Sequence, residues 1–385
     1  MQKDLSPTER ILVHCDLDAF YASVETIFRE LDPNIPLIIG SDPKNGSGRG
    51  IVSTCNYAAR KYGVRSAMPI TEAWRRCPAE PFGNAIYVRG NYRLYGRASR
   101  IVMGILESQS DTFEQASIDE AYLDITQSCK GNWDTALLIC ENLKLEIFQK
   151  TGLTASFGIA STRILAKMCS EENKPNGIFR LMPDETMMFF EGKSVRDVPG
   201  IGKKSSTVLA EWGLSTMDEL YEAGEISLER MMGDRFAKWI IRVIEGKTSS
   251  EISPLRSRKS ISKEHTFSTD QKDTQLVLKK LLNLCEQVVE KAKSMKICGK
   301  GLEIKIRYKG FETHTYSKTL PVAMDDTELF LRLSSDLFAQ SIRSEKPVRL
   351  IGFKMGSLEI PDSRQITLDK LNELIQENAF SSESE

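Results

Sequence analysis

The hydrophobic pattern starts with a nearly continuous run, Ile11-Leu12-Val13-His14-Cys15-Asp16-Leu17, which predicts a buried strand with Asp16 at its polar end. Asp18 stands where a helix N-cap is expected. Ala19 to Glu25 then has apolar positions at helical spacing. Residues 36–40 predict a short strand, 41–50 a polar loop, and 51–63 a strand running into a short helix. On that helix Tyr57 and Arg60, three apart, share a face. Residues 91–107 predict a polar helix. Residues 113–117 and 121–126 then alternate as two strands with Asp119-Glu120 at the tip between them. An amphipathic helix over 135–150, a small-residue strand over 154–160, a helix over 161–169 carrying Lys167, and a Lys-Pro-Asn-Gly turn at 174–177 follow.

The rest of the chain divides in two. Val198-Pro199-Gly200-Ile201-Gly202-Lys203 opens a helical segment that runs past Leu214 to Trp239. A Pro-Gly-Ile-Gly turn between helices exposes backbone amides, as in helix-hairpin-helix elements that grip DNA phosphates without reading sequence. Residues 246–254 have linker composition. Beyond them, strand, helix, strand, strand, helix and strand are expected over 259–269, 274–295, 300–308, 313–320, 326–338 and 348–358. In the strand at 300–308, Leu302, Ile304 and Ile306 face one way and Lys305 and Arg307, with Glu303, the other. The module is thus expected to have an apolar face and a basic one, suited to a duplex backbone.

Two adjacent carboxylates at a strand tip repel each other unless a cation lies beside them, and a hard divalent ion with oxygen ligands is the usual answer. A plain solvated turn is the alternative. Asp16, delivered by the first strand, could join Asp119 and Glu120 in one site, with the amides of the following helix N-terminus ready for phosphate. Three carboxylates from two remote strand ends suit two-ion phosphoryl displacement.

Composition changes this picture in two ways. The net charge of -1 does not advertise nucleic-acid binding, but residues 255–309 hold 14 basic against 6 acidic side chains, and residues 359–385 hold 2 against 7. Eight cysteines without a C-x-x-C pair and only three histidines argue against a disulfide framework or zinc site, and for reduced thiols. The polar first ten residues have no signal-peptide core, and no apolar run is long enough to span a bilayer. A cytoplasmic protein is expected, and the family resemblance carried by the motifs below implies a nucleoid-associated monomer.

Six motifs stand in register with a known pattern: C-D-L-D-A-F-Y-A-S-V-E (15–25), S-T-C-N-Y-A-A-R-K-Y-G-V-R-S-A-M-P (53–69), S-I-D-E-A-Y-L-D (117–124), L-A-K (165–167), K-P-N-G (174–177) and V-P-G-I-G-K (198–203). From about residue 11 to 358 the chain resembles a Y-family DNA polymerase of the DinB (DNA polymerase IV) branch. The resemblance implies a multidomain α+β fold. Its parts would be a palm sheet with helices on one face (9–19 and 86–174), small fingers (20–85) and a helical thumb with a helix-hairpin-helix (175–246). A linker (247–256), a β-α-β-β-α-β little finger (257–361) and an acidic flexible tail (362–385) would complete it. It implies low-fidelity, template-directed addition of dNTPs to a primer 3′-hydroxyl, in translesion synthesis and repair. Asp16, Asp119 and Glu120 correspond to the catalytic, metal-binding carboxylates, with the Leu17 carbonyl as a backbone ligand and two Mg2+ ions, replaceable by Mn2+. Phe20, Tyr21, Tyr57, Arg60 and Lys167 correspond to triphosphate contacts, and Tyr21 to the steric gate that leaves no room for a 2′-hydroxyl. Gly200, Gly202, Lys203, Lys305 and Arg307 are the expected contacts to primer-template DNA. Small residues Ala58, Ser66 and Ala67 near Met68 imply an open roof over the nascent pair. Ala19 and Cys55 fall where relatives vary. Gln365 to Leu371 partly resembles a sliding-clamp motif but lacks its paired aromatics, so a clamp contact and an ordinary tail both stand. Two rivals remain at this stage, a non-catalytic DNA-binding scaffold and another two-metal enzyme on a palm-like sheet, such as a nucleotide cyclase.

Overall fold

The structure, a computed structural model, describes residues 10–253, 258–343 and 345–360. The chain forms two compact units, residues 1–255 and 256–385. The first opens with β1 (Leu12–Leu17), buried along its whole length, and α1 (Phe20–Phe28). Asp18 does not cap α1. The N-cap is Ala19 in the left-handed region (φ 45°), because the Asp18 carboxylate is already committed to Ser156 and Asn176. Next come β2 (Leu37–Gly40), β3 (Val52–Cys55), α2 (Tyr57–Arg60), α3 (Ile70–Arg76) and β4 (Ile86–Val88), a small sheet in the order β3-β2-β4 with two short helices.

The larger sheet follows. It is built from α4 (Tyr92–Ser108), β5 (Thr112–Gln115), β6 (Glu120–Asp124), α5 (Trp133–Thr151), β7 (Ala155–Ala160), α6 (Arg163–Glu172) and β8 (Ile178–Arg180), with strand order β5-β6-β1-β7-β8. Side chains alternate across it. Val13, Cys15 and Leu17 join Leu123, Phe157 and residues of α4 and α5, the expected layer of helices on one face. Leu12, Tyr122 and Ala160 pack the other way, against Leu165 and Ala166 of α6. The sheet therefore carries a third helix on its opposite face.

Gly158 permits that third layer. A Cβ there would lie 2.1 Å from the Ala166 carbonyl oxygen and 2.3 Å from the Ser170 nitrogen. Both are backbone atoms, so the helix itself would have to move. Gly158→Ala is therefore expected to destabilise the fold by about 1–3 kcal/mol, read as a lower urea midpoint at unchanged slope.

After β8 come α7 (Thr186–Phe190), α8 (Lys203–Glu211), α9 (Met217–Met232) and α10 (Asp234–Ile244). The helical segment expected from Val198 to Trp239 is thus divided into α8, α9 and α10, and α9 is itself broken by a kink at Gly224 (φ 73°). Gly213 (φ 77°) and Gly233 (φ 87°) turn the chain, and Thr216 restarts it through a capping box with Glu219.

The segment 247–253 is not a loose linker. Ile252 is buried in the core shared by α6 and the three later helices. The Ser253 N–H donates to Glu114 at 2.9 Å, and Arg163 donates to the Glu251 carbonyl oxygen at 3.1 Å. Glu114 is 2% exposed and ion-paired to Arg163, so the strap is fastened by a buried carboxylate that needs its partners. Residues 254–256 of the expected linker lie outside the described residues, as do the tail at 362–385 and Gln365 to Leu371.

The second unit follows the predicted order: β9 (Ser260–Gln271), α11 (Thr274–Ser294), β10 (Cys298–Tyr308), β11 (Thr313–Met324), α12 (Thr327–Ser341) and β12 (Val348–Glu359). Its antiparallel sheet runs β11-β10-β12-β9. Leu302, Ile304 and Ile306 are buried with Val277, Leu281 and Phe330 of the helices. The other face is not uniformly basic. Lys305 is ion-paired with Glu264, and Lys354 with Glu303 at 3.1 Å, while Arg307 donates to Thr313 at 2.8 Å. Cross-strand neighbours supplied acids that the reading of one strand could not count.

All eight cysteines are buried and unpaired. Among the described residues no helix is long and apolar enough to cross a membrane.

Candidate active site

β1 and β6 run antiparallel with Asp16 directly opposite Glu120, so their side chains leave the same face at the same end of the sheet. The next step continues the ladder, since the Leu17 N–H donates to the Asp119 carbonyl oxygen at 3.0 Å. Asp119 thus sits on the turn beside the pair. Ser117 shapes that turn: its hydroxyl accepts from the N–H groups of Asp119 (3.2 Å) and Glu120 (3.0 Å) and donates to Asp119 Oδ1 at 2.5 Å. Ser99 holds the Ile118 carbonyl oxygen and Gln115 that of Ser117.

Two lysines reach the carboxylates. Lys174 Nζ is 2.8 Å from Asp16 Oδ1, and Lys167 Nζ is 2.7 Å from Glu120 Oε1. Burial pushes the Asp16 carboxyl up to about 7, against the pull of Lys174. Burial also opposes the Lys174 ammonium, but Asp16 and Glu171 outweigh it and hold its pKa above the usual lysine range. Glu120 is held well below the carboxylate range by His14 and Lys167. Lys167 supplies the charge. His14 is fully buried with its own pKa lowered by burial, and its Nε2 stands 3.8 Å from Glu120 with no hydrogen-bond partner among the described residues. Its Nδ1 is 2.7 Å from the Ser170 hydroxyl on α6.

Around this centre the other expected residues take up their positions. Phe20 is buried and Tyr21 half-buried in the first turn of α1, where backbone N–H groups lack intrahelical acceptors. Tyr21 stacks on Tyr95 (centroids 4.3 Å apart, planes 15° apart), and its hydroxyl pKa is raised by burial and by the nearby Asp119. The Tyr95 hydroxyl donates to the buried Glu25 at 2.6 Å, and Glu25 is paired with Arg29 at 2.6 Å. Asn56 caps α2 by accepting from the Ala59 N–H, and on that helix the Arg60 guanidinium lies over the Tyr57 ring at 4.6 Å. The shared face expected for this pair is present. The Tyr57 pKa is raised by burial and then by Asp18. Gly200 (φ 107°) turns the loop before α8, Gly202 caps that helix, and Lys203 begins it. A groove of about 590 Å³ runs between Lys167 and Glu171 of α6 and Arg196 and Gly200 of this loop. Lys305 and Arg307 belong to the second unit.

The expected ligands, three carboxylates and the Leu17 carbonyl, all offer oxygen, the donor type a hard divalent ion takes. Among the described residues no three His, Cys, Asp or Glu side chains are drawn together around one point. Ammonium groups stand on two of the carboxylates instead, where a cation's charge would act. Sequence reasoning missed Lys174, Glu25, Tyr95, Ser117 and His14. Lys174, Glu25 and Ser117 lie inside quoted motifs, but nothing in one dimension shows what they touch.

Residues 15–171 match the impB/mucB/samB family and residues 258–368 its C-terminal domain. The chain is 36% identical to a DNA polymerase IV of Methanoculleus marisnigri over 364 residues, 94% of this chain and 98% of that protein. It is 36% identical to one of Streptococcus thermophilus over 370 residues, covering 95% and 98%. Among solved structures it is similar to a Y-family DNA polymerase chimera (TM-score 0.81, 27% identity, 91% of this chain and 100% of that one). It also resembles an insertion ternary complex of Dbh DNA polymerase (TM-score 0.64, 26% identity, the same coverage). The chain belongs to the impB/mucB/samB family of Y-family DNA polymerases, in its DNA polymerase IV branch.

Proposed function

We propose that this protein is a low-fidelity, template-directed DNA polymerase that extends a primer 3′-hydroxyl with dNTPs across damaged template bases. One observation carries the reading: the register that sets Asp16 opposite Glu120, with Asp119 on the adjoining turn. Asp16, Asp119, Glu120 and the Leu17 carbonyl would hold divalent cations, and Mg2+ is the expected ion because it prefers a few carboxylates plus substrate phosphates. When bound, such ions lower the pKa of the primer hydroxyl and neutralise charge on the triphosphate.

The chain's own groups then bind and orient. Lys167, Arg60 and Tyr57, with the first-turn amides of Phe20 and Tyr21, take the triphosphate. The Tyr21 ring lies under the sugar and excludes a 2′-hydroxyl. The 20–85 segment acts as fingers, and its short helices, with Ser66 and Ala67 exposed, leave room for a distorted template base. Gly200, Gly202 and Lys203 grip duplex phosphates in a thumb at 175–246, and Lys305 and Arg307 do so in a little finger at 257–361.

Primer extension on a recessed template tests this. Added dNTP should appear only opposite a template and only with Mg2+ or Mn2+ present, and a chelator should stop it. Duplex binding without any extension under those conditions would support a non-catalytic scaffold instead.

A further inference from the structure

We propose that the groove between α10, the first turn of α6 and the strap at 247–253 is a separate phosphate site, which takes the backbone of a nucleic-acid strand. The inference rests on the reading of this chain as a polymerase that holds primer-template DNA.

The groove, of about 820 Å³, is lined by Arg163 of α6, by Arg235, Lys238, Trp239 and Arg242 of α10, and by Thr248 of the strap. It lies away from the carboxylates. β7 runs antiparallel to β1 with Ser156 opposite Asp16 and Ala160 opposite Leu12, and α6 begins just beyond Ala160. The groove therefore stands at the end of the sheet remote from Asp16, about 13 Å away by strand rise.

Its cations are not all alike. Arg163 is ion-paired with Glu114, and Lys238 with Asp234 at 2.5 Å. Arg235 and Arg242 are exposed and, among the described residues, have no carboxylate partner. Arg242 is nevertheless held in place, because its Nε and Nη2 donate to the Lys247 carbonyl oxygen at 3.1 and 2.9 Å. Arg235, Lys238 and Arg242 are three and four residues apart, so they form a row on one helix face about 10 Å long. Such a row matches consecutive phosphates of one strand better than a single free phosphate.

Two further observations point to a ligand. Thr248 is 8% exposed, and its Oγ1 has no hydrogen-bond partner among the described residues. A buried hydroxyl without a partner carries a desolvation cost that a phosphate oxygen would remove, and its proton can rotate toward one. Trp239 joins the groove to the Pro-Gly-Ile-Gly loop, since a Cβ on Gly200 would lie 3.3 Å from its ring. A strand gripped by the amides of that loop passes beside the row of arginines.

Duplex binding tests the proposal, with the full chain and a fluorescently labelled primer-template. Anisotropy is read over a series of salt concentrations, without nucleotide or divalent ion. At about 0.1 M salt Arg235→Ala/Arg242→Ala should bind about tenfold more weakly, and the slope of log affinity against log salt should fall by about two. Arg235→Lys/Arg242→Lys, which keeps the charge, should keep the parent's slope. Thr248→Val removes the orphan hydroxyl and little else. It should bind severalfold more weakly at an unchanged slope, with a thermal unfolding midpoint no lower than the parent's. The proposal is overturned if the double alanine variant keeps the parent's affinity and slope, or if Thr248→Val binds as tightly as the parent. Isothermal titration with inorganic pyrophosphate separates the other source of phosphate. A loss confined to pyrophosphate, with duplex binding unchanged, would give the groove to a free anion and overturn the strand. A parent that binds no duplex removes the polymerase reading, and the inference with it.

Discussion

Asp119→Asn is expected to slow primer extension at least about a thousandfold while leaving the protein folded. The Asp119 backbone is part of the sheet through its carbonyl oxygen, which accepts the Leu17 N–H, and asparagine leaves that bond intact. Among the described residues the side chain makes one hydrogen bond, from the Ser117 hydroxyl, and an asparagine Oδ1 can accept it equally well. What disappears is a negative oxygen, the one proposed to hold a divalent cation. Metal-assisted charge stabilisation contributes several kcal/mol to a phosphoryl-transfer barrier, and each 1.36 kcal/mol is a factor of about ten in rate. Single-turnover extension gives the rate, and thermal unfolding shows whether the fold survives. A loss smaller than about tenfold would remove Asp119 from the centre.

Tyr21→Ala is expected to raise ribonucleotide use relative to deoxyribonucleotide use by about 5- to 150-fold, the rate equivalent of the roughly 1–3 kcal/mol that forced packing costs. The ring can act as a gate only if it cannot tilt away, and the structure supplies the restraint. Tyr21 lies flat against Tyr95, with Tyr92 edge-on at 5.8 Å. Tyr95 is fully buried and tied by its hydroxyl to Glu25, which also takes the Asn91 N–H and the Arg29 guanidinium. Removing the ring deletes the obstacle, whereas Tyr95→Leu keeps it and loosens its support, so an intermediate loss of selectivity is expected. The ratio of incorporation efficiencies for matched rNTP and dNTP measures both. Unchanged selectivity in Tyr21→Ala would place the discrimination elsewhere.

The parts of the fold that local pattern governs were readable in advance. The run before Asp16 and the alternation after Glu120 predict two strands, and the second unit's β-α-β-β-α-β order follows from its apolar spacing. Contacts across long sequence separations were not readable. Lys174 meets Asp16 only because a particular turn folds back on β1, and Asp18 is drawn from its expected cap by Ser156, 138 residues away. Gly158 looks like one small residue among several until α6 is seen resting on it. The strap at 247–253 has linker composition, yet Glu114 and Arg163, remote in sequence, fasten it. Polar composition reports what a segment can do when unattached, and the attachment comes from elsewhere in the chain.

The most direct test is anomalous scattering from Mn2+ in crystals of the protein with primer-template DNA and a non-hydrolysable dNTP. Ion peaks at about 2.0–2.2 Å from carboxylate oxygens of Asp16, Asp119 and Glu120 are the predicted result. Peaks bound to other residues, or a loaded nucleotide with no ion on these carboxylates, would contradict the account.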